Sequence, residues 1–200
     1  MDYLIFIIIT IIAILVFSKI SNYIYYLPVK GYDGNTYYLN KCDNCDTELS
    51  ESANMLAKIN ENILILIGYL RKNEPSNKVT IFLHNHYSPN LLYETIPETQ
   101  YTSYTEDKRK IHLCLRTRDE NKKIYNINLL MYVMLHELAH FSNFNDYGLP
   151  IIGHGKEFKE KFYFLVDNAI KAKVYVFDDY SENNQNYCGL NLKTNIYSNV

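Results

Sequence analysis

Apolar residues recur along this chain with different periods, and the periods divide it into elements. Between Ser50 and Arg71, Ala53, Leu56, Ala57, Ile63, Leu64 and Ile67 recur mostly at three- and four-residue steps, and Pro75 follows. That spacing predicts a long amphipathic helix. Val79 to His84 is short and largely apolar and predicts a strand, on which His84 and His86 would share a face. Pro89 to Gln100 has no period and reads as a loop. Tyr101–Thr105 and Lys110–Arg116 read as a hairpin, with Ile111, Leu113 and Leu115 on one face and His112 and Cys114 on the other. Leu129 to Leu135 is apolar all round, the mark of a helix inside a core, and Asn128 is its expected N-cap. Beyond the Gly148-Leu149-Pro150 break, Phe158, Phe162, Leu165, Val166, Ala169 and Ile170 stripe a further helix. Helices with one small sheet make the fold class α+β.

The N-terminus is different material. From Tyr3 to Phe17 every side chain but Thr10 is apolar or aromatic, and the next charge is Lys19. With Lys19 snorkelling and Tyr23, Tyr25 and Tyr26 as an interfacial belt, residues 1–27 are expected to form one transmembrane helix. A cleaved signal peptide fits less well, because Asp2 stands where basic residues belong and no small-residue cleavage site follows. Lys19 and Lys30 follow the span and no Lys or Arg precedes it, which predicts a single-pass protein with its body in the cytosol. Residues 28–48, with Pro28, Gly31 and Gly34, read as a linker, and 49–200 as the working domain. Within the linker, Cys42-Asp43-Asn44-Cys45 has no second pair at metal-binding spacing and reads as two thiols in a polar loop.

Charge narrows the function. The formal net charge is -2, and the densest basic run, Lys108-Arg109-Lys110, directly follows Glu106 and Asp107. No stretch concentrates cations for phosphate neutralisation, so direct nucleic-acid binding is not expected.

The chemistry lies in the apolar helix, which carries His136-Glu137-Leu138-Ala139-His140. Histidines at i and i+4 lie one turn apart on one face, so both imidazoles can reach a single ion, and neutral imidazole is a good zinc ligand. Burying two histidines and a carboxylate without partners would be costly, and a zinc ion resolves the cost. Glu137 adjoins the first ligand, placed to take a proton from the attacking water and hand it to the leaving amine. A catalytic site needs a third protein ligand. His154, four residues before Phe158 and among turn-forming glycines, is the favoured one. Asp146, six residues after His140, is the alternative, but that spacing normally relies on a Gly where Asn143 stands.

The HELAH and GHGKEF segments resemble the WLM and SprT-like group of small zinc metallopeptidases. The chain is also similar to uncharacterised proteins of large DNA viruses in that group, from the helix near Ala53 through YTSY, the CLR strand, HELAH and Tyr187-Cys188-Gly189. The resemblance implies a zincin-like domain with Zn2+ at His136, His140 and His154, and Glu137 as general base. The interval from His140 to His154 is longer than is usual in that group. The expectation is therefore a membrane-anchored zinc metallopeptidase of the HExxH class acting on a protein or peptide, bound along the hairpin by strand addition. The competing expectation is a non-enzymatic, membrane-anchored viral structural or assembly protein with a structural zinc. Such a site would usually be closed by four ligands and has no use for Glu137.

Overall fold

A computed structural model describes residues 3, 5–12, 25–41, 46–97, 101–193 and 196. Eleven elements matter below. They are β1 (Tyr26–Lys30), β2 (Thr36–Asn40), α1 (Asp46–Asn73), α2 (Lys78–His86), β3 (Leu92–Glu94), β4 (Tyr104–Glu106) and β5 (Lys110–Leu113), then α3 (Ile127–Phe141), α4 (Lys156–Lys171), β6 (Gln185–Tyr187) and β7 (Leu190–Leu192). The architecture is mixed α/β.

The five-stranded sheet runs β1-β2-β3-β5-β4. Strands β2, β3 and β5 are parallel, and the antiparallel β1 and β4 form the two edges. Long helix α1 packs on β1, β2, α2, α3 and α4, and α3 lies against β4, β5 and α4. The core fills the space between them: Leu56, Ile59, Ile63, Leu66 and Leu70 of α1 meet Leu130, Met131, Met134 and Leu138 of α3, all fully buried. The turn joining β1 to β2 sits so close to α1 that a Cβ on Gly31 would fall 2.9 Å from the Ala57 Cβ and 3.1 Å from the Ala53 carbonyl.

The structure corrects the reading of the N-terminus. Among the described residues no helix is long and apolar enough to cross a membrane. Helical residues 5–12 would rise only about 12 Å, against a hydrocarbon core of about 30 Å. The rest of the expected span, 13–24, lies outside the described residues, as does the Cys42–Cys45 loop.

Three further expectations give way. The stretch read as a linker contains β2, where Tyr37 and Leu39 are buried on alternate positions between polar neighbours, and the end of β1, which begins at Tyr26 in the expected anchor. The expected strand at 79–84 is helix α2. Its N-cap is Asn77, whose side chain accepts the Val79 N–H at 2.8 Å, and Val79 and Leu83, one turn apart, are both buried. The expected loop at 89–100 contains β3, a central strand buried at every position, so it shows no alternation. The hairpin is present as β4–β5, with Thr105 opposite Ile111 and Tyr104 opposite His112.

Candidate metal centre

Helix α3 carries the first two imidazoles. It starts one turn's fraction earlier than expected: Asn126, not Asn128, is the N-cap and accepts the Leu129 N–H at 2.9 Å. The Asn128 side chain instead pairs with the backbone of Val176 at 2.8 and 2.9 Å. The fold then delivers a third imidazole. His154 sits in the loop just before α4, whose N-cap is Gly155, rather than within the helix itself.

The Nε2 atoms of all three histidines converge. His154 Nε2 lies 2.9 Å from His140 Nε2 and 3.1 Å from His136 Nε2. One ligand atom from each lies within 4.8 Å of the others, a group that could hold a metal ion. Phe158, the first apolar residue of the α4 stripe, is the shared floor: its ring centre is 4.8, 4.3 and 4.6 Å from the rings of His136, His140 and His154. Burial, then His140 and His154, pulls the His136 pKa down to about 3, and burial and His154 pull His140 down to about 4. Burial also lowers His154. All three rings are thus neutral near pH 7, with lone pairs available for a cation.

Glu137 is buried beside them. Thr105 on edge strand β4 reaches it, with Oγ1 at 2.8 Å from Oε2 and 3.1 Å from the Glu137 carbonyl. Burial pushes the Glu137 carboxyl up to about 7, opposed by the Thr105 hydroxyl and the Lys108 ammonium. Lys108 donates to the His140 carbonyl at the end of α3, where a cation suits the helix dipole. It can do so because Asp107 and Lys108 both take positive φ, 49° and 54°, in the β4–β5 turn. The turn is closed by Arg109 N–H to the Glu106 carbonyl at 2.8 Å.

The site opens into a cavity of about 770 Å3, bordered by residues 102–105, by Pro150–Gly153, and by Tyr187, Leu190 and Leu192. The last three belong to β6–β7, a small hairpin that sequence reasoning did not find. Its turn, Cys188-Gly189, has φ of 50° and 89°, the primed geometry suited to a two-residue connection. A disulfide from Cys188 to Cys114 ties it to the end of β5.

Other candidate residues stay away. Asp146 is exposed and paired with Lys78 Nζ at 2.5 Å. Asn143 is fully buried and accepts from Lys161 Nζ at 2.8 Å, so it is structural. His84 and His86 are exposed on α2, outside the triad. His112, on the hairpin face shared with Cys114, is buried between Tyr26 (Nδ1–OH 3.2 Å) and Glu106 (Nε2–Oε2 2.9 Å) and stacks on Tyr104.

A neutral three-imidazole group able to hold a metal ion, on a mixed α/β fold, defines the class of site. The WLM domain profile matches residues 74–192, and the chain belongs to the WLM domain family, a metalloprotease-like family of the zinc type. An uncharacterised protein of Acanthamoeba polyphaga mimivirus is 41% identical over 147 residues, covering 70% of each chain. One of Invertebrate iridescent virus 3 is 42% identical over 89 residues, covering 44% of this chain and 50% of that protein. The crystal structure of Wss1 from Saccharomyces cerevisiae is similar with a TM-score of 0.42 and 20% identity, covering 64% of this chain and 83% of that one. The chain is thus a WLM-like protein with relatives in large DNA viruses.

Proposed function

We propose that this chain is a zinc-dependent peptidase in which His136, His140 and His154 hold the ion and Glu137 is the general base. The observation that carries the reading is the convergence of three Nε2 atoms next to a buried glutamate. Four-coordinate zinc with bonds of about 2.0–2.1 Å sets ligand nitrogens roughly 3.3 Å apart. The 2.9 and 3.1 Å separations here are close to that, so the donor set fits. Zinc would supply a Lewis acid that polarises the scissile carbonyl and acidifies the attacking water.

The rest falls to the chain's own groups. The Thr105 hydroxyl holds Oε2 of Glu137, which leaves the second carboxylate oxygen to receive the proton from water and later return it to the leaving amine. Edge strand β4 pairs with β5 on one side and ends the sheet, so its other backbone edge can take an extended peptide by strand addition. The site's opening to a cleft, with three imidazoles rather than four ligands among the described residues, favours catalysis over a structural ion.

The test combines metal analysis with proteolysis. The protein should bind one zinc per chain and cleave peptides, and Glu137→Gln should keep the zinc and lose cleavage. Equal cleavage by that variant refutes the mechanism.

A further inference from the structure

We infer that the cleft selects peptides with a large apolar side chain next to the scissile bond, and that two apolar walls recognise it. This rests on the peptidase reading for the identity of the bound molecule. One wall is the loop between His140 and His154. It is not a slack connection. Asn145 Oδ1 accepts the N–H groups of Tyr147 and Leu149 at 3.0 and 2.9 Å, and Ile151 N–H donates to the Asn143 carbonyl at 2.9 Å. Phe144 and Pro150 form a β-bridge across it. A loop held in this way still leaves Ile152 92% exposed, although Ile152 borders the cavity that holds the three imidazoles. With Leu190, exposed at the same cavity, it groups apolar surface around a polar centre, and grouped exposed apolar surface marks a contact site.

The second wall is the β6–β7 hairpin. Leu190, 54% exposed, and Leu192 border the same cavity. Tyr187 secures the hairpin through its OH, 2.7 Å from Ser103 Oγ, and the Cys188 N–H donates to the Tyr125 OH at 2.8 Å. With the Cys114–Cys188 disulfide, these bonds fix the wall before any ligand arrives, so little ordering is left for binding. The occupant must therefore lie over Glu137 and the imidazoles while offering apolar surface to Ile152 and Leu190. An extended peptide with an Ile-, Leu- or Phe-sized side chain beside the scissile bond does both.

The experiment uses the zinc-loaded full chain with a mixture of peptides varied on both sides of the scissile bond. In parallel, Glu137→Gln is titrated with fluorescent peptides carrying Leu or Asp at the central position. The inference expects cleavage next to large apolar residues and tighter binding of the Leu peptide. Ile152→Asp and Leu190→Asp should each weaken both by about tenfold, the scale of one apolar contact in a pocket, with metal content unchanged. Cleavage indifferent to apolar residues overturns the inference and leaves the peptidase reading standing. Binding of the Leu peptide that depends on Ile152, without cleavage by wild type, overturns the peptidase reading and the placement beside a scissile bond, and leaves only the two apolar walls as a recognition surface. Neither binding nor cleavage overturns both.

Discussion

Replacing Thr105 with Val removes one hydroxyl and keeps the volume and the β-branched shape that suits strand β4. The residue's backbone pairing with Ile111 does not depend on the side chain, so the hairpin should persist. What disappears is the single side-chain donor between β4 and the general base. The Thr105 hydroxyl has one proton and two nearby acceptors, Glu137 Oε2 at 2.8 Å and the Glu137 carbonyl at 3.1 Å; the carboxyl oxygen is the nearer, and it is charged in the deprotonated form that acts as a base. A hydrogen bond to a charged group contributes about 1.5–3 kcal/mol. If that bond orients the base in the transition state, its loss lowers kcat roughly 10- to 100-fold, since about 1.4 kcal/mol is a factor of ten. KM should change little, because the hydroxyl's proton is engaged by Glu137 although Thr105 borders the cleft. Zinc content should stay near one, because the three imidazoles are held by α3, the 154 loop and Phe158. The assay is steady-state cleavage of a quenched fluorescent peptide with kcat and KM resolved, alongside metal analysis. Thr105→Ser, which restores the donor, should recover most of the rate. An unchanged kcat in the Val variant, or a loss that tracks lost zinc, refutes the positioning role.

How much of this was legible depended on how local each signal is. Helices α1 and α4 were readable because each repeats its apolar spacing over several turns, and α3 because its first turns are apolar all round. Helix α2 was not: Val79, Thr80 and Ile81 are β-branched and suggest a strand, while the Asn77 cap and the surface offered by α1 decide for a helix. Strand β3 lacked alternation because both its faces are buried. Strand β2 offered only two alternating buried positions in Asn- and Gly-rich surroundings. The site divides in the same way. His136 and His140 are one helical turn apart, so their pairing follows from spacing alone. The third imidazole required choosing between Asp146 and His154, and the fold brings only His154 to the group. Thr105 stands 32 residues before Glu137 and met no local pattern, although the β4–β5 hairpin that carries it was readable. The β6–β7 wall was missed because each strand is three residues long and the disulfide holding it spans 74 positions.

The remaining expectations are these. His154→Ala should sharply lower zinc affinity, whereas Asp146→Ala should leave zinc near one per chain and barely change stability, as suits an exposed ion pair; the opposite pattern in metal analysis would move the site. Cys114→Ser with Cys188→Ser should lower the unfolding temperature, because closing a 74-residue separation stabilises by up to about 4.5 kcal/mol, and a reducing agent should reproduce the shift. The last concerns Glu94, buried in central strand β3, where burial pushes the carboxyl up to about 6 against the opposing Asn40 N–H and Arg116. A folded pKa above the unfolded value means the folded state binds the proton more tightly. The stabilisation is therefore complete below about pH 4.5 and lost as pH rises through about 6, a swing of about 2 kcal/mol. Glu94→Gln keeps an acceptor for the Asn40 N–H and removes the titration. Urea unfolding of metal-free protein from pH 4 to 7.5 should show wild type losing stability relative to the variant across that window. A difference between the two that stays flat with pH would show that Glu94 does not titrate abnormally in the fold.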